Sequence, residues 1–130
     1  MKPANFHEST ACRRISEILS RVGDKWTVLV IVQLREGPLR FSDIKRRLGS
    51  ISQKMLTSTL RALERDGFLT RTVYPTVPPR VDYALTSLGR DLLEPVAAMA
   101  DWASRNADAI DRARARFDAA AGKAVASRAA

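Results

Sequence analysis

Cysteine, histidine and long apolar runs are nearly absent from this 130-residue chain. A single cysteine, Cys12, excludes an intrachain disulfide, and no His/Cys pair has the spacing of metal ligands, so we predict neither a metal site nor another cofactor. The longest apolar run, Val28 to Val32, is far below the roughly 18 residues of a membrane-spanning helix. The first residues lack the apolar stretch typical of a secretory signal. We therefore expect a cytoplasmic protein with no membrane partner.

Acidic residues are outnumbered, 14 against 22 lysines and arginines, which gives a formal net charge of +8. The excess lies in the middle of the chain, where the segment 40–80 holds nine basic and three acidic residues. This concentration predicts a surface for a polyanion, with nucleic acid as the first candidate and acidic lipid as the second. A solvated face that aids solubility explains the same charge, so composition leaves both interpretations open.

Apolar spacing and capping signals predict one domain over residues 1–130, mostly helical with a single β-hairpin. The segment 25–36 is β-branched enough for a buried strand, but we interpret it as a helix because Gly37 and Pro38 form a helix-stop signal. The predicted N-caps are Ser9 or Thr10, Asp24, Ser42, Ser52 and Thr86, and a kink is predicted at Pro95. The predicted elements are helix 1 (9–22), helix 2 (25–36), helix 3 (42–48), helix 4 (52–66), a hairpin (68–85), helix 5 (87–105) and a C-terminal helical extension or tail (106–130).

Helices 3 and 4 are separated by only a few residues, which is the spacing of a helix-turn-helix whose second helix enters the DNA major groove. On a helical projection, three leucines of helix 4 face one side, and the other side carries Lys54, Thr57, Ser58, Arg61 and Arg65. Arginine binds guanine O6 and N7, hydroxyls reach base edges or phosphates, and lysine neutralises phosphate. The alternative is an ordinary amphipathic surface helix. The neighbouring short helix and basic hairpin favour DNA contact.

The hairpin sequence FLTRTVYPTVPPRVDYALT alternates apolar and polar residues on both sides of a proline-rich tip. Pro75, Pro78 and Pro79 remove three backbone donors, so the tip is stiff and cannot extend a sheet. Arg80 at this tip can reach a minor groove or nearby phosphates. Protection of the sheet edge is the alternative role of the prolines, and pairing with a neighbouring acid is the alternative role of Arg80.

Several long motifs in one order carry a family resemblance that runs from about Cys12 to Trp102: GDKWT, RFSDIKRRL, ISQKMLTSTLRALERDGFLTR and VYPTVPPRVDYALTSLG. The chain resembles the HxlR-type winged-helix transcriptional regulators, which are related to the MarR-like regulators. The resemblance implies an α+β, mostly α, winged helix-turn-helix with a two-stranded β-hairpin wing and a long C-terminal dimerisation helix. It also implies a homodimer that binds double-stranded operator DNA with two-fold symmetry, a recognition helix at 52–66 and a wing at 74–80.

Two sets of candidate site residues follow. The predicted DNA-binding residues are Arg40, Ser42, Ser52, Gln53, Lys54, Thr57, Ser58, Arg61, Thr76 and Arg80. An apolar stripe on helix 5 is longer than a small domain needs, so together with helix 1 it predicts a dimer interface. Its candidates are Ile15, Leu19, Leu88, Leu92, Val96, Met99 and Trp102. Packing of the stripe on its own domain is the alternative.

Cys12 lies in the first turn of helix 1 beside Arg13 and Arg14, where the helix N-terminus and the cations favour a reactive thiolate. A small buried hydrophobe is the alternative. The resemblance adds that some similar regulators sense quinones, aldehydes or oxidants through a cysteine near this position. We predict a homodimeric repressor that reads a palindromic or pseudo-palindromic operator and is released by an electrophile or oxidant through Cys12. The alternatives are a regulator that responds to a small ligand without cysteine sensing and a winged-helix protein-interaction module. An enzyme is not expected, because the acids are scattered along helix surfaces.

Overall fold

The computed structural model describes residues 10–129, with side chains placed as far as residue 125. The chain forms two compact units, the first ending at Glu94 and the second beginning at Pro95. The elements are α1 (Thr10–Val22), α2 (Lys25–Gln33), β1 (Leu39–Arg40), α3 (Phe41–Leu48), α4 (Gln53–Arg65), β2 (Leu69–Tyr74), β3 (Arg80–Leu85), α5 (Ser87–Asp91) and α6 (Leu93–Ala129). This order confirms the predicted winged helix-turn-helix with a hairpin wing and a long C-terminal helix. No helix in the described part of the chain is both long enough and apolar enough to cross a bilayer.

The β-branched helix α2 is the centre of the core in the first unit. Val30, Ile31 and Leu34 are fully buried and belong to one apolar cluster with side chains of α3, α4 and the sheet. The Asp24 carboxylate accepts a hydrogen bond from the backbone N–H of Thr27 at 3.1 Å, which caps the helix. Helix rather than strand is therefore confirmed for this segment. The helix ends at Gln33, earlier than predicted, because residues up to Gly37 form a looser turn.

Local hydrogen bonds define both ends of α4, and the N-cap at Ser52 was predicted from the sequence. The Ser52 hydroxyl accepts a hydrogen bond from the Met55 N–H at 3.0 Å and caps the first turn. At the other end Gly67 adopts a positive φ of 83°, and the Phe68 N–H donates to the Leu63 carbonyl at 2.9 Å. This pattern is a Schellman motif, which only glycine enters without strain. Helix α4 is thus capped at both ends.

The start of α3 differs from the prediction that Ser42 is its N-cap. The cap residue is Arg40, with extended φ and ψ angles of −80° and 159°, and it makes no side-chain capping bond. Ser42 is instead the second residue of the helix and is exposed. The physical reason is that Leu39 and Arg40 pair with β3, so the backbone is still a strand one residue before the helix begins.

The three strands form one antiparallel sheet in the order β1-β3-β2. β2 and β3 pair from Leu69 opposite Leu85 to Tyr74 opposite Arg80, so the wing tip consists of residues 75–79. Within it the Val77–Pro78 peptide bond is cis. The two-residue strand β1 was not predicted, because two residues are too short to show a period in the sequence.

The predicted helix 87–105 is interrupted at Leu92. Thr86 caps α5 as predicted, accepting a hydrogen bond from the Gly89 N–H at 3.1 Å. The chain makes a tight turn at Leu92, and α6 begins directly after it. Pro95 therefore lies in the first turn of α6, where its missing N–H would have no intrahelical partner. The helix continues to Ala129, so the described part of the segment 106–130 is helical.

Candidate nucleic-acid interface

The exposed face of α4 gathers five of the predicted DNA-binding residues into one shallow depression. This face is lined by Gln53, Lys54, Thr57, Ser58 and Arg61, all of them exposed. The opposite face is anchored because Leu56, Leu60 and Leu63 are buried. Among the residues that the structure describes, neither Lys54 nor Arg61 has an ion-pair partner. Both cations are therefore available to an external anion.

A second depression lies between α4 and the sheet and adds a residue that was outside the predicted set. Arg71 of β2 lines it together with Arg61 and Glu64, and the buried Tyr83 lies behind. Arg71 is exposed and has no ion pair within the described residues. Arg71 could have been found in the sequence because it lies two residues after Leu69 on the same strand. This spacing places both side chains on the face of the sheet that meets α4.

At the base of the wing tip, the Arg80 side chain is held by two neighbours. Its guanidinium donates to both carboxylate oxygens of Asp82, from Nε at 3.0 Å and from Nη2 at 2.8 Å. The guanidinium carbon also lies 4.9 Å from the ring centroid of Tyr74, a cation–π contact. These hydrogen bonds raise the pKa of Arg80 and lower the pKa of Asp82. Arg80 therefore pairs with a neighbouring acid, as one of the two sequence interpretations proposed.

Strand β1 brings a further cation beside this pair. Arg40 stands opposite Asp82 in the β1–β3 register, and its charge contributes to the lowered pKa of Asp82. The Asp82 side chain is only 11% exposed, whereas Arg80 keeps 46% of its side-chain surface. Asp82 thus stands between two exposed arginines and orients one of them. Sequence reasoning missed Asp82, although its spacing of two from Arg80 along one strand places both on the same face.

Of the remaining predicted hydroxyls, two form hydrogen bonds within the protein and the third lies on α3. The Ser52 hydroxyl caps α4, and the Thr76 hydroxyl donates to the Pro78 carbonyl at 2.9 Å inside the wing tip. Ser42 is exposed on α3, and its hydroxyl makes no hydrogen bond in the part of the chain that the structure describes. The structure therefore places basic side chains, rather than these hydroxyls, at the open positions around α4.

The predicted interface residues divide between exposed and buried positions. In the first unit Ile15, Leu19 and Leu88 are exposed, while Leu92 is partly buried against the core. In the second unit Met99 and Trp102 are exposed, and Val96 is buried. Cys12 is also buried, at 6% exposure, in the first turn of α1. Ser9, one of the two predicted N-caps of helix 1, lies outside the described residues.

Comparison with known proteins identifies the family of this chain. The HxlR-like helix-turn-helix family matches residues 21–111. The HTH-type transcriptional regulator YtfH of Escherichia coli (strain K12) is 54% identical over 90 residues, which are 69% of this chain and 71% of YtfH. The solved structure of ytfH from Salmonella typhimurium covers 76% of this chain and 88% of its own, with 48% identity and a TM-score of 0.70.

A second solved structure, the redox regulator HypR in its oxidized form, is 40% identical and covers 72% of this chain and 96% of its own, with a TM-score of 0.66. The family and these relatives are transcriptional regulators rather than enzymes. The resemblance found in the sequence motifs is confirmed. The chain belongs to the HxlR-like helix-turn-helix family and is a DNA-binding transcriptional regulator.

Proposed function

We propose that this regulator is a homodimeric repressor that inserts one α4 helix of each subunit into the major groove of a palindromic operator. The exposed α4 face with its unpaired Lys54 and Arg61 is the observation that carries the proposal. Two such helices related by two-fold symmetry address half-sites one helical turn apart, about 34–36 Å. Because DNA is the target, we place the protein in the cytoplasm.

The side chains around α4 suit different parts of a DNA duplex. Arg61, in the middle of the exposed face, is our candidate for bidentate contact with guanine O6 and N7. Lys54 lies in the first turn of α4, where the helix N-terminus also attracts a phosphate. Arg71 and Arg40 flank α4 on the sheet and suit the phosphate backbone. Arg80 is oriented by Asp82 and suits a sugar-phosphate or minor-groove contact beside the half-site.

Selection of bound sites from random DNA, followed by competition gel shifts, tests this docking. Arg61→Ala should weaken the operator by roughly tenfold or more while leaving nonspecific binding nearly unchanged, the signature of a lost base contact. Arg80→Ala should weaken all sequences about equally and reduce the salt dependence. Arg112→Ala is the matched control, because Arg112 is an exposed arginine of the second unit. Operator binding that is unchanged in both test variants would show that the docking is wrong.

Exposed apolar side chains support the homodimer. Ile15, Ile18 and Leu19 stand on α1 and Leu88 on α5, with exposures between 37% and 54%. In the second unit Met99 and Trp102 are also exposed. Apolar side chains grouped on a helix surface are typical of a protein–protein contact. A second copy of the chain is the partner that a palindromic operator requires.

We also propose that an electrophile or oxidant releases the repressor from DNA through Cys12. The similarity to the redox regulator HypR supports this role, as does the position of Cys12 in the first turn of α1. With diamide, two thiols pass two electrons and two protons to the N=N bond and become a disulfide between two subunits. With a quinone, the sulfur adds to a ring carbon and the thiol proton ends on a quinone oxygen. Because Cys12 is buried, either reaction requires α1 to move.

Release by diamide or a quinone in gel shifts tests the sensor role. Wild-type protein should lose its operator on treatment, whereas Cys12→Ser should bind normally and stay bound. The chain has no other cysteine, so the serine variant offers no second thiol. Equal release of both proteins would remove Cys12 from the mechanism.

A groove in the first unit supports the alternative in which a small ligand is the signal. The groove is about 640 Å³ and lies between α1, the end of α4 and α5, with Ile18, Phe68 and Leu88 on its walls. Arg21 and Asp66 form an ion pair of 2.8 Å at its edge, which links α1 to the end of the recognition helix. Its volume is within the range of small-molecule sites. Ligand-induced release that persists in Cys12→Ser would select this alternative.

A further inference from the structure

The apex of the wing presents one apolar side chain entirely to solvent. Val77 is 100% exposed, while Val73 and Tyr74 lower on the wing retain about half of their surface. All five residues of the tip are exposed, and none of them is charged. The apex is thus unlike the basic surface around it, which suggests a contact other than phosphate neutralisation.

Hydrogen bonding inside the tip leaves one backbone donor available. Pro75, Pro78 and Pro79 have no N–H group. The Thr76 N–H donates to the Tyr74 carbonyl at 2.8 Å, and the Thr76 hydroxyl donates to the Pro78 carbonyl at 2.9 Å. Within the described residues, the Val77 N–H is therefore the tip donor without a partner. The apex consists of one isopropyl group beside one N–H.

Arg80 does not place its positive charge at the apex of the wing. It is the last residue paired with β2, opposite Tyr74, and its guanidinium is bound to Asp82 two residues further along β3. The arginine is therefore directed back along the strand. Val77 lies in the loop beyond that last pair, at the middle of the five tip residues, and is fully exposed.

We infer that Val77 contacts the floor of the DNA minor groove beside the half-site and makes the wing select A·T over G·C pairs there. This inference rests on the proposed DNA docking. The Val77 N–H suits the N3 and O2 acceptors that line the minor groove, and the isopropyl group suits an apolar contact with the groove. A G·C pair adds the guanine 2-amino group, a donor that projects into the same space. Valine has no acceptor for it, so the amino group would lose its water without a replacement.

Substitution of inosine for guanine tests the minor-groove contact of Val77 without changing the major-groove face of the base pair. An I·C pair has the major-groove pattern of G·C but lacks the 2-amino group, so its minor groove is like that of A·T. In the selected operator, each A·T pair flanking the recognition-helix footprint is replaced singly by G·C and by I·C. Dissociation constants are measured at one fixed salt concentration.

Wild-type protein should show at least one flanking position where G·C weakens binding about tenfold, the effect of one unsatisfied donor, while I·C stays within about twofold of A·T. Val77→Thr keeps the branched shape but adds a hydroxyl that can accept from the amino group, so the G·C penalty should fall to about threefold or less. Val77→Ile is the matched apolar control and should retain the penalty. Because Val77 is fully exposed, all three proteins should unfold at the same urea concentration.

Three results would overturn the inference. They are a G·C penalty that I·C shares, a penalty that is equal in wild type and Val77→Thr, and no flanking position with a penalty. If Arg61→Ala still loses the operator in these cases, the tip contact alone is wrong and the α4 docking stands. If Arg61→Ala binds normally, both proposals fail together.

Discussion

Asp82 is a nearly buried carboxylate at the edge of a basic surface. It orders the long side chain of Arg80 by accepting its hydrogen bonds. Two hydrogen bonds and a ring contact fix Arg80 before any DNA arrives. An arginine held in advance loses less rotamer freedom on binding than a mobile one. In the proposed docking, Asp82 therefore supports DNA binding by orienting Arg80 rather than by touching DNA.

The lowered pKa of Asp82 predicts a pH-dependent contribution to stability. A carboxylate whose folded pKa is depressed contributes fully above the ordinary aspartate value of about 3.9, and the contribution is lost as pH falls through the lower folded value. Asp82→Asn should therefore lower the urea midpoint at pH 7, and its difference from wild type should shrink as pH falls below the ordinary aspartate value of about 3.9.

Unfolding curves at several pH values check this, with Asp101→Asn as the control because Asp101 pairs with Arg105 in an exposed position. The control should have little effect at any pH. A difference for Asp82→Asn that does not shrink as pH falls well below about 3.9 would exclude the pair as its cause.

Side chains on single elements were the most predictable part of the site. Lys54, Thr57, Ser58 and Arg61 follow from the helical period alone, because the leucines of α4 fix which face is buried. The partnership of Asp82 with Arg40 was not predictable in the same way. It depends on the pairing of β1 with β3, which joins residues far apart in the chain.

At the scale of elements, the hairpin and α5 approach each other closely at Gly89. Gly89 is buried in α5, and a Cβ atom there would overlap the backbone carbonyl of Phe68. Thr86, the N-cap of α5, adds a second contact here, because its hydroxyl donates a hydrogen bond to the Gly67 carbonyl at 2.6 Å. Backbone atoms cannot move aside as a flexible side chain can. The glycine is therefore required by the approach of two elements.

Gly89→Ala should destabilise the protein by about 1–3 kcal/mol, the usual cost of overpacking a tight site. Gly122→Ala is the matched control in α6, since nothing lies within 4 Å of a Cβ atom there. In an exposed helix interior this change should stabilise the helix by about 0.5–1 kcal/mol. Urea unfolding of the Gly89 variant and the helical circular dichroism of the Gly122 variant give the two values. Equal effects of the same sign would contradict the packing argument.

Caps were predictable because their hydrogen bonds are local. Asp24, Ser52 and Thr86 all accept the bonds that the sequence predicted for them. The strand at Leu39–Arg40 and the break at Leu92 were not predictable, since each depends on what the rest of the chain places beside it. For this reason Ser42, a good cap by its chemistry, lies two residues too late to cap α3.

At the scale of the whole molecule, the basic excess and the apolar surface of α1 have separate tasks in the proposed dimer. The charge is concentrated between residues 40 and 80, while Ile15, Ile18 and Leu19 lie outside that segment. A change on α1 can therefore alter assembly without removing a cation from the DNA-binding surface. The two functions are separable by mutation.

Leu19→Glu should convert the dimer to a monomer, because it places a charge in the proposed interface at a residue that is 54% exposed in the chain. Operator affinity should fall by roughly tenfold or more, since one half-site must then bind alone. Sedimentation velocity reports the mass, and gel shifts report the affinity. Val125→Glu, with the same charge change at an exposed position of α6, is the control. A Leu19→Glu variant that remains dimeric would exclude α1 from the interface.

The shape of the wing tip is maintained by Thr76, by the prolines and by the last strand pair, and not by Val77. Position 77 can therefore mutate without any cost in folding. During evolution, paralogues that share this scaffold could acquire different flanking preferences through one codon at the apex. The bulk of the operator would still be read by α4, so such a change would divide target genes among regulators without creating a new recognition helix.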